Sequence, residues 1–524
     1  MAAEPVDVVA AVRAGYTFSG PSLTVGPLVV DGKPDPSAMV RVPLAMMNRH
    51  GLVAGATGTG KTKTLQVLAE QLSSAGVPVF LADIKGDVSG MAVPGEASDK
   101  LLARTAEIGQ QWHPAAFPCE FYALGGKGNG IPVRATVTAF GPVLLSKVLG
   151  LSDVQASSLN LVFHFADKHN LPMLDIKDLR SVIQFLTSDD GKEQLTELGG
   201  LSKVTAGVLL RKLISFSDAG ADQFFGEPEF QTLDLLRTTQ DSRGMVSIME
   251  LPGVVEQPAL FSSFLMWLLA DLYQDLPEVG DVERPKLVFF FDEAHLLFKD
   301  ASKEFISSIT QTVRLIRSKG VGVFFVTQTP KDVHPDVLAQ LGNRVQHALR
   351  AYTPDDAKAL KATASTFPNS SYDLEEVLTQ LGIGEAIVTM LSENGAPTPV
   401  AWTRLNAPQS LMAEADASVL TNIVTNSQLH AKYATGVDRQ SAYEMLAARH
   451  AEPGTTDAAA APPTLPMATP PPAKKGAAAK EPAPEPGFAE KILGSTVAKS
   501  MLRAGATAAA GAIVRSIFST SKKR

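Results

Sequence analysis

The stretch GLVAGATGTGKT, residues 51–62, joins a short apolar run, Leu52, Val53 and Ala54, to a glycine- and threonine-rich segment that ends in a lysine and a threonine. From Gly55 the spacing is glycine, four residues, then Gly60, Lys61 and Thr62, the pattern of a loop whose backbone N–H groups wrap a nucleotide's phosphates. Glycine serves such a loop because the chain turns through positive φ and the phosphates approach the main chain without a Cβ in the way. Gly55, Ala56, Thr57, Gly58, Thr59, Gly60, Lys61, Thr62 and Lys63 are therefore candidate nucleotide-binding residues. Lys61 would reach the β- and γ-phosphates and Thr62 would place its hydroxyl on Mg²⁺. The following KTKTLQVLAEQL carries Val67, Leu68 and Leu72 at helical spacing, which predicts a helix with its N-terminus aimed at the anion. ATP and Mg²⁺ are the ligands this arrangement implies.

A second half for such a site lies in LVFFFDEAH, where a β-rich run from Leu287 to Phe291 delivers Asp292 and Glu293 to a strand end. Asp292 would hold Mg²⁺ through its hydration shell, and Glu293 would orient or deprotonate the attacking water. The next strand, GVFFVTQ, ends in Gln328, which could bond the γ-phosphate and the lytic water as a nucleotide sensor, or simply cap a loop. Arg314 and Arg317, in QTVRLIRSKG between these strands, are candidates for an arginine finger acting on a neighbouring subunit, with Arg344 and Arg350 as rivals and surface ion pairing as the alternative. Asp83, Lys85 and Asp87 in DIKGD end another apolar strand, where a role beside the nucleotide and a strand-end turn are both open. His295 is read as a packing or relay residue and not a metal ligand, because no His or Cys partner stands at ligand spacing.

Strands at 77–82, 244–251, 286–294, 322–328 and 344–349 alternate with helical segments, which predicts an α/β fold with a doubly wound, mainly parallel sheet. Residues 1–48 read as a small β lead-in with a Gly-Lys-Pro-Asp-Pro turn; residues 49–450 form the nucleotide-binding domain, with a mainly helical insertion over about 95–240. SENGAP, around Asn394-Gly395, predicts a hairpin between GEAIVTML and TPVAWTRL. Leu260 to Tyr273 reads as a core helix, too short and too interrupted by Asp271 for a membrane span. Residues 451–487 are Pro- and Ala-rich and read as a disordered linker. Residues 488–524 read as a basic amphipathic C-terminal helix, for docking on this or a neighbouring subunit or for peripheral membrane contact. With 524 residues, 45% apolar and 19% charged, the chain has the balance of a globular protein. A net charge of −7 argues against a surface given over wholly to nucleic acid, and leaves room for a local basic channel. The single cysteine, Cys119, excludes an internal disulfide and a cysteine-based zinc cluster. It fits a reducing, cytoplasmic setting, as does an N-terminus without secretion-signal character.

Taken with NRHGLVAGATGTGKT, LADIKGDVSG, FFGEPEF, LPEVGDVERPKLVFFFDEAHLLF and IRSKGVGVFFVTQTPKDVHPDVLAQLGNRVQHALRA, the chain resembles the HerA/FtsK superfamily of P-loop ATPases. More narrowly, it resembles the bacterial HerA-helicase-like (YjgR-like) family. The resemblance covers most of residues 15–405. It implies a RecA-like core, ATP hydrolysis, a homo-hexameric ring and a DNA translocase or helicase. It supports Lys61, Thr62, Asp292, Glu293 and Gln328 in the roles above and leaves the trans-acting arginine open. Two other classes remain: an ATP-dependent switch or scaffold acting on a protein partner, and a transport ATPase for polypeptides or at a membrane.

Overall fold

A computed structural model describes residues 7–124, 128–196, 200–251, 258–280, 282–298 and 303–450. The expectations for 451–487 and 488–524 lie outside the described residues. The chain begins with helix α1 (Val8–Gly15), followed by strands β1 (Ser22–Val30) and β2 (Lys33–Pro43). Strand β3 (Gly51–Ala54) enters the glycine-rich loop and helix α2 (Lys61–Ser74) leaves it, leading to β4 (Val79–Asp83). Next come α3 (Asp99–Glu107), β5 (Cys119–Leu124) and β6 (Ile131–Val133). Helices α4 (Val137–Val148), α5 (Asp153–Lys168), α6 (Ile176–Thr187), α7 (Asp189–Thr196) and α8 (Lys203–Asp218) follow. The chain returns to the sheet with β7 (Val246–Glu250), α9 (Pro258–Asp275), β8 (Leu287–Phe291), α10 (His295–Phe298), α11 (Lys303–Ile316), β9 (Val321–Thr327) and β10 (Asn343–Gln346). Strands β11 (Glu385–Thr389) and β12 (Ala401–Arg404) complete it.

Among the described residues, twelve strands form one sheet in the order β2-β1-β12-β11-β10-β3-β9-β8-β4-β7-β5-β6. From β10 to β6 every neighbouring pair is parallel. From β10 back to β2 every pair is antiparallel. Every residue of β3, β4, β8 and β9 is buried, as central strands covered on both faces require. The crossover from β3 through α2 to β4 passes over the places later filled by β9 and β8. The phosphate-loop strand and the acidic strand β8 therefore flank β9, and all three open at one carboxyl edge.

Three local readings change. The first hairpin turns at Asp31 and Gly32, both at positive φ, while Lys33–Pro36 belong to β2. Two residues at positive φ give the turn whose twist suits a tight hairpin, and the prolines are tolerated because β2 is the edge strand of the sheet among the described residues. The lead-in also contains a helix, α1, capped by the Asp7 carboxylate. The stretch 95–240 is rich in helix but supplies two sheet strands, β5 and β6; CEFYAL is a short, fully buried run, which periodicity cannot tell from a helix segment. The second hairpin turns at Asn394-Gly395 as expected, with Ser392 N donating to Ala396 O at 2.8 Å. Leu260 to Tyr273 lies in α9, whose Phe264, Trp267 and Leu268 are buried. Among the described residues no helix is long and apolar enough to cross a membrane.

Candidate active site

Register fixes the loop before any ligand is considered. Ala54 stands opposite Thr327 on β9, and beyond it Gly55 N is within hydrogen-bond reach of Thr327 O (3.2 Å) and Gln328 O (3.1 Å), while Ala56 N donates to Ala348 O (2.8 Å). The loop is thus pinned to the ends of both flanking strands. Gly58 and Gly60 adopt φ of 80° and 112°, where a side chain would be strained. Gly55 is demanded by space: a Cβ there would lie 2.4 Å from His347 Cβ. α2 then begins at Lys61 with no side-chain cap and no acidic residue in its first turn, so its leading N–H groups and positive dipole end face the loop unneutralised. Lys61 Nζ donates to Gly55 O (2.7 Å) and Ala56 O (3.2 Å), placing a buried ammonium over the loop. Burial pulls this ammonium below the ordinary lysine value, with the charge of Glu293 opposing and that of Lys85 adding.

His347, one residue beyond β10, carried no signal in the sequence. It is fully buried beneath the loop, with Nε2 2.9 Å from Thr64 Oγ1. Burial, helped by Lys61, pushes its pKa down to about 3, so the ring is a neutral strut between β10 and α2. Only the contact reveals it, because Thr64 and His347 are far apart in the chain.

At the same sheet edge β8 presents its acids. Asp292 Oδ1 accepts from Glu293 N (2.9 Å), while Oδ2 is buried without a partner among the described residues. Burial raises Asp292 to about 6 despite the opposing charge of Lys85. Glu293 has a φ of 46°, a left-handed conformation uncommon for a side chain of this size. Its Oε1 is ion-paired with Lys85 Nζ, and its Oε2 lies 3.1 Å from His295 Nδ1. Lys85 comes from the turn after β4, which folds around Asp83: the buried carboxylate accepts from Lys85 N (3.2 Å), Gly86 N (2.7 Å) and Val88 N (3.1 Å). Burial lifts Asp83 to about 7. Burial alone would lower the Lys85 ammonium, but the Glu293 carboxylate and the charges of Asp292 and Asp87 outweigh it and raise it. DIKGD forms the strand-end turn: Asp83 builds it, and the turn carries Lys85 to Glu293.

Gln328 follows β9, between the loop strand and the acidic strand, with an exposed side chain. The arginines separate. Arg314 and Arg317 are exposed at the end of α11 and in the turn before β9. They stand at the amino end of β9, about 20 Å of strand from Gln328 at 3.3 Å per residue. Within one chain they do not meet the loop. Arg344 is half-buried in β10 opposite Leu52 of β3. Arg350 Nη2 lies 3.4 Å from Thr57 O, on its own chain's loop. On the other flank of the loop is a cavity of about 420 Å³, bordered by Gly60, Lys63, Leu101, Arg104, Gly384 and Asn406. Gly384 N donates to Thr59 O at 3.0 Å, and Arg104 Nη2 donates to Gly384 O at 2.9 Å, so the β11 end is tied to the loop.

With this geometry in place, the sequence matches the helicase HerA-like C-terminal family over residues 29–524. The chain belongs to the HerA-like family. This HerA-like chain is 25% identical over 394 residues to the probable helicase MJECL08 of Methanocaldococcus jannaschii, covering 71% of this chain and 68% of that protein. It is 24% identical over 397 residues to the DNA double-strand break repair helicase HerA of Sulfurisphaera tokodaii, covering 74% and 70%. Among solved structures, the plasmid coupling protein TrwB in complex with ADP and Mg²⁺ shares the fold at a TM-score of 0.50 and 18% identity, over 78% of this chain and 93% of TrwB. The HerA-like core accordingly has the mixed α/β, RecA-like architecture expected from the sequence.

Proposed function

We propose that the protein is an Mg²⁺-dependent ATPase of the HerA/FtsK type that assembles as a homo-hexameric ring and drives translocation or unwinding of DNA in the cytoplasm. The observation that carries this reading is the meeting, at one sheet edge, of the loop 55–62, Gln328, and the Asp292–Glu293 pair. Triphosphate would lie on the loop N–H groups and the α2 N-terminus, with Lys61 leaving the Gly55 and Ala56 carbonyls for the β- and γ-oxygens. The cavity beside Gly60 and Lys63 has the size and the mixed lining to take the nucleoside. Thr62 and Asp292 fit Mg²⁺: both offer hard oxygen donors, and Asp292 Oδ2 is a buried oxygen without a partner among the described residues. Bound there, the cation would neutralise charge on the phosphates. Glu293 would accept the proton of the attacking water, with Gln328 holding that water and reporting the γ-phosphate.

DNA as substrate rests on the family and on the relatives' described roles as helicases. The test is the steady-state ATPase rate with and without single- and double-stranded DNA at two salt concentrations, with Glu293→Gln as blank. DNA stimulation that fades as salt rises is expected, because phosphate contacts release counterions. A rate that Glu293→Gln abolishes but DNA leaves untouched would overturn DNA as substrate. The ATPase would stand, and the work it does would then fall on a protein or at a membrane.

A further inference from the structure

We infer that Lys85 is a positioning residue for Glu293: it holds the carboxylate in a resting arrangement, and hydrolysis proceeds only when the Lys85–Glu293 pair opens. The inference rests on the reading of Glu293 as the group that acts on water.

Oε1 of Glu293 is engaged by Lys85, from the side away from the loop, while Oε2 is buried and faces His295 Nδ1 at 3.1 Å without a hydrogen bond among the described residues. The oxygen held by the ammonium is not free to accept a water's proton, and the pair fixes the direction in which the whole carboxylate points. The lysine also approaches from the side of β8 opposite the phosphate loop, since the strands run β3-β9-β8-β4. Its backbone has little freedom, because three N–H groups of the turn close on Asp83 and Gly86 sits at a φ of 80°. The mobile part is the side-chain end: the Lys85 side chain is 43% exposed, whereas that of Glu293 is 8% exposed. An ammonium reaching in from the rim can change partners at low cost, while a buried carboxylate left alone cannot. The backbone of Glu293 is poised as well, because the left-handed conformation at φ 46° is held only while its surroundings over-determine it.

Charge supplies the trigger. Lys61 feels Glu293 more strongly than any other acid and is also opposed by Lys85, so all three groups share one small region. The terminal phosphate of a nucleoside triphosphate arriving at Lys61 brings negative charge into that region. It repels the Glu293 carboxylate and competes for the Lys85 ammonium, and both effects open the pair. A diphosphate, lacking that group, leaves the pair closed.

The experiment compares kcat and KM for ATP, without DNA, in the wild type, Lys85→Met and Lys85→Arg, with Glu293→Gln as blank. Lys85→Met is expected to raise basal kcat about fivefold, the factor a partly exposed ion pair contributes, with KM within about twofold. Lys85→Arg, which keeps the charge, should stay near the wild type. A fall in kcat for Lys85→Met, or no change, would overturn the inference. A wild type without hydrolysis that depends on Glu293 would instead overturn the reading of the site beneath it. A second readout does not need turnover. The double-mutant cycle of Lys85→Met and Glu293→Gln on melting temperature should show coupling in nucleotide-free protein and lose it with a non-hydrolysable ATP analogue. Coupling that persists with the analogue would mean that the pair never opens, and that the inference is wrong.

Discussion

Replacing Asp292 by asparagine should make the protein more stable at pH 8 while abolishing Mg²⁺-dependent hydrolysis. Burial raises this carboxyl from 3.8 to about 6 in the nucleotide-free protein. A raised carboxyl binds protons more tightly in the folded chain than in the unfolded one, so stability falls as pH rises between the two values. The cost is fully present above the folded pKa. A shift of about two units corresponds to about 3 kcal/mol at pH 8. Asparagine removes that cost and keeps an oxygen to accept from Glu293 N, but it puts an unpartnered amide where Oδ2 now sits, returning about 1–2 kcal/mol. The net gain should be about 1–2 kcal/mol, read as a higher urea midpoint and a melting temperature raised by about 2 °C. By pH 5 the wild type has recovered roughly half of its cost, so the variant's advantage should shrink accordingly. The slope due to Asp83, lifted to about 7 chiefly by its own burial, is shared by both proteins except for the small part that the charge of Asp292 adds, which the variant also loses. Adding ATP with Mg²⁺ should stabilise the wild type far more than the variant. A variant no more stable than the wild type at pH 8, or an advantage unchanged between pH 8 and pH 5, would refute this account of the buried acid.

Two further outcomes follow from the geometry. Gly55→Ala forces a Cβ to 2.4 Å from His347 Cβ, over 1 Å inside ordinary carbon contact, so the loop or the β10 end must move. A loss of about 1–3 kcal/mol and weaker binding of a fluorescent ATP analogue are expected, and an unchanged melting curve would show that the contact yields freely. If Arg317 or Arg314 acts on a neighbouring subunit, its alanine variant should lose about 10³-fold in kcat while still binding ATP. Mixing it with Glu293→Gln subunits should restore part of the rate; full activity in both arginine variants would move the role to Arg344 or Arg350.

What the sequence decided by itself was local chemistry. GATGTGKT specifies a phosphate loop because its glycines, lysine and threonine must stand within eight residues to serve one anion. LVFFF followed by Asp292 and Glu293 specifies a buried strand with acids at its end, because five consecutive apolar residues are stable only inside a covered sheet. Turn chemistry was legible at Asn394-Gly395 for the same local reason. At Asp31-Gly32 it was obscured by two prolines, which edge position alone makes acceptable. Strand order was not legible, since any parallel arrangement buries β3, β8 and β9 equally well along their own lengths. Tertiary structure alone placed β9 between the loop and the acids, and with it Gln328. It also brought His347 against Gly55 and Thr64, and carried Lys85 to Glu293. These are meetings of residues remote in the chain, fixed by register and packing between strands. Periodicity and motif spacing report only on neighbours in sequence, so they can name the groups of a site without saying which of them touch.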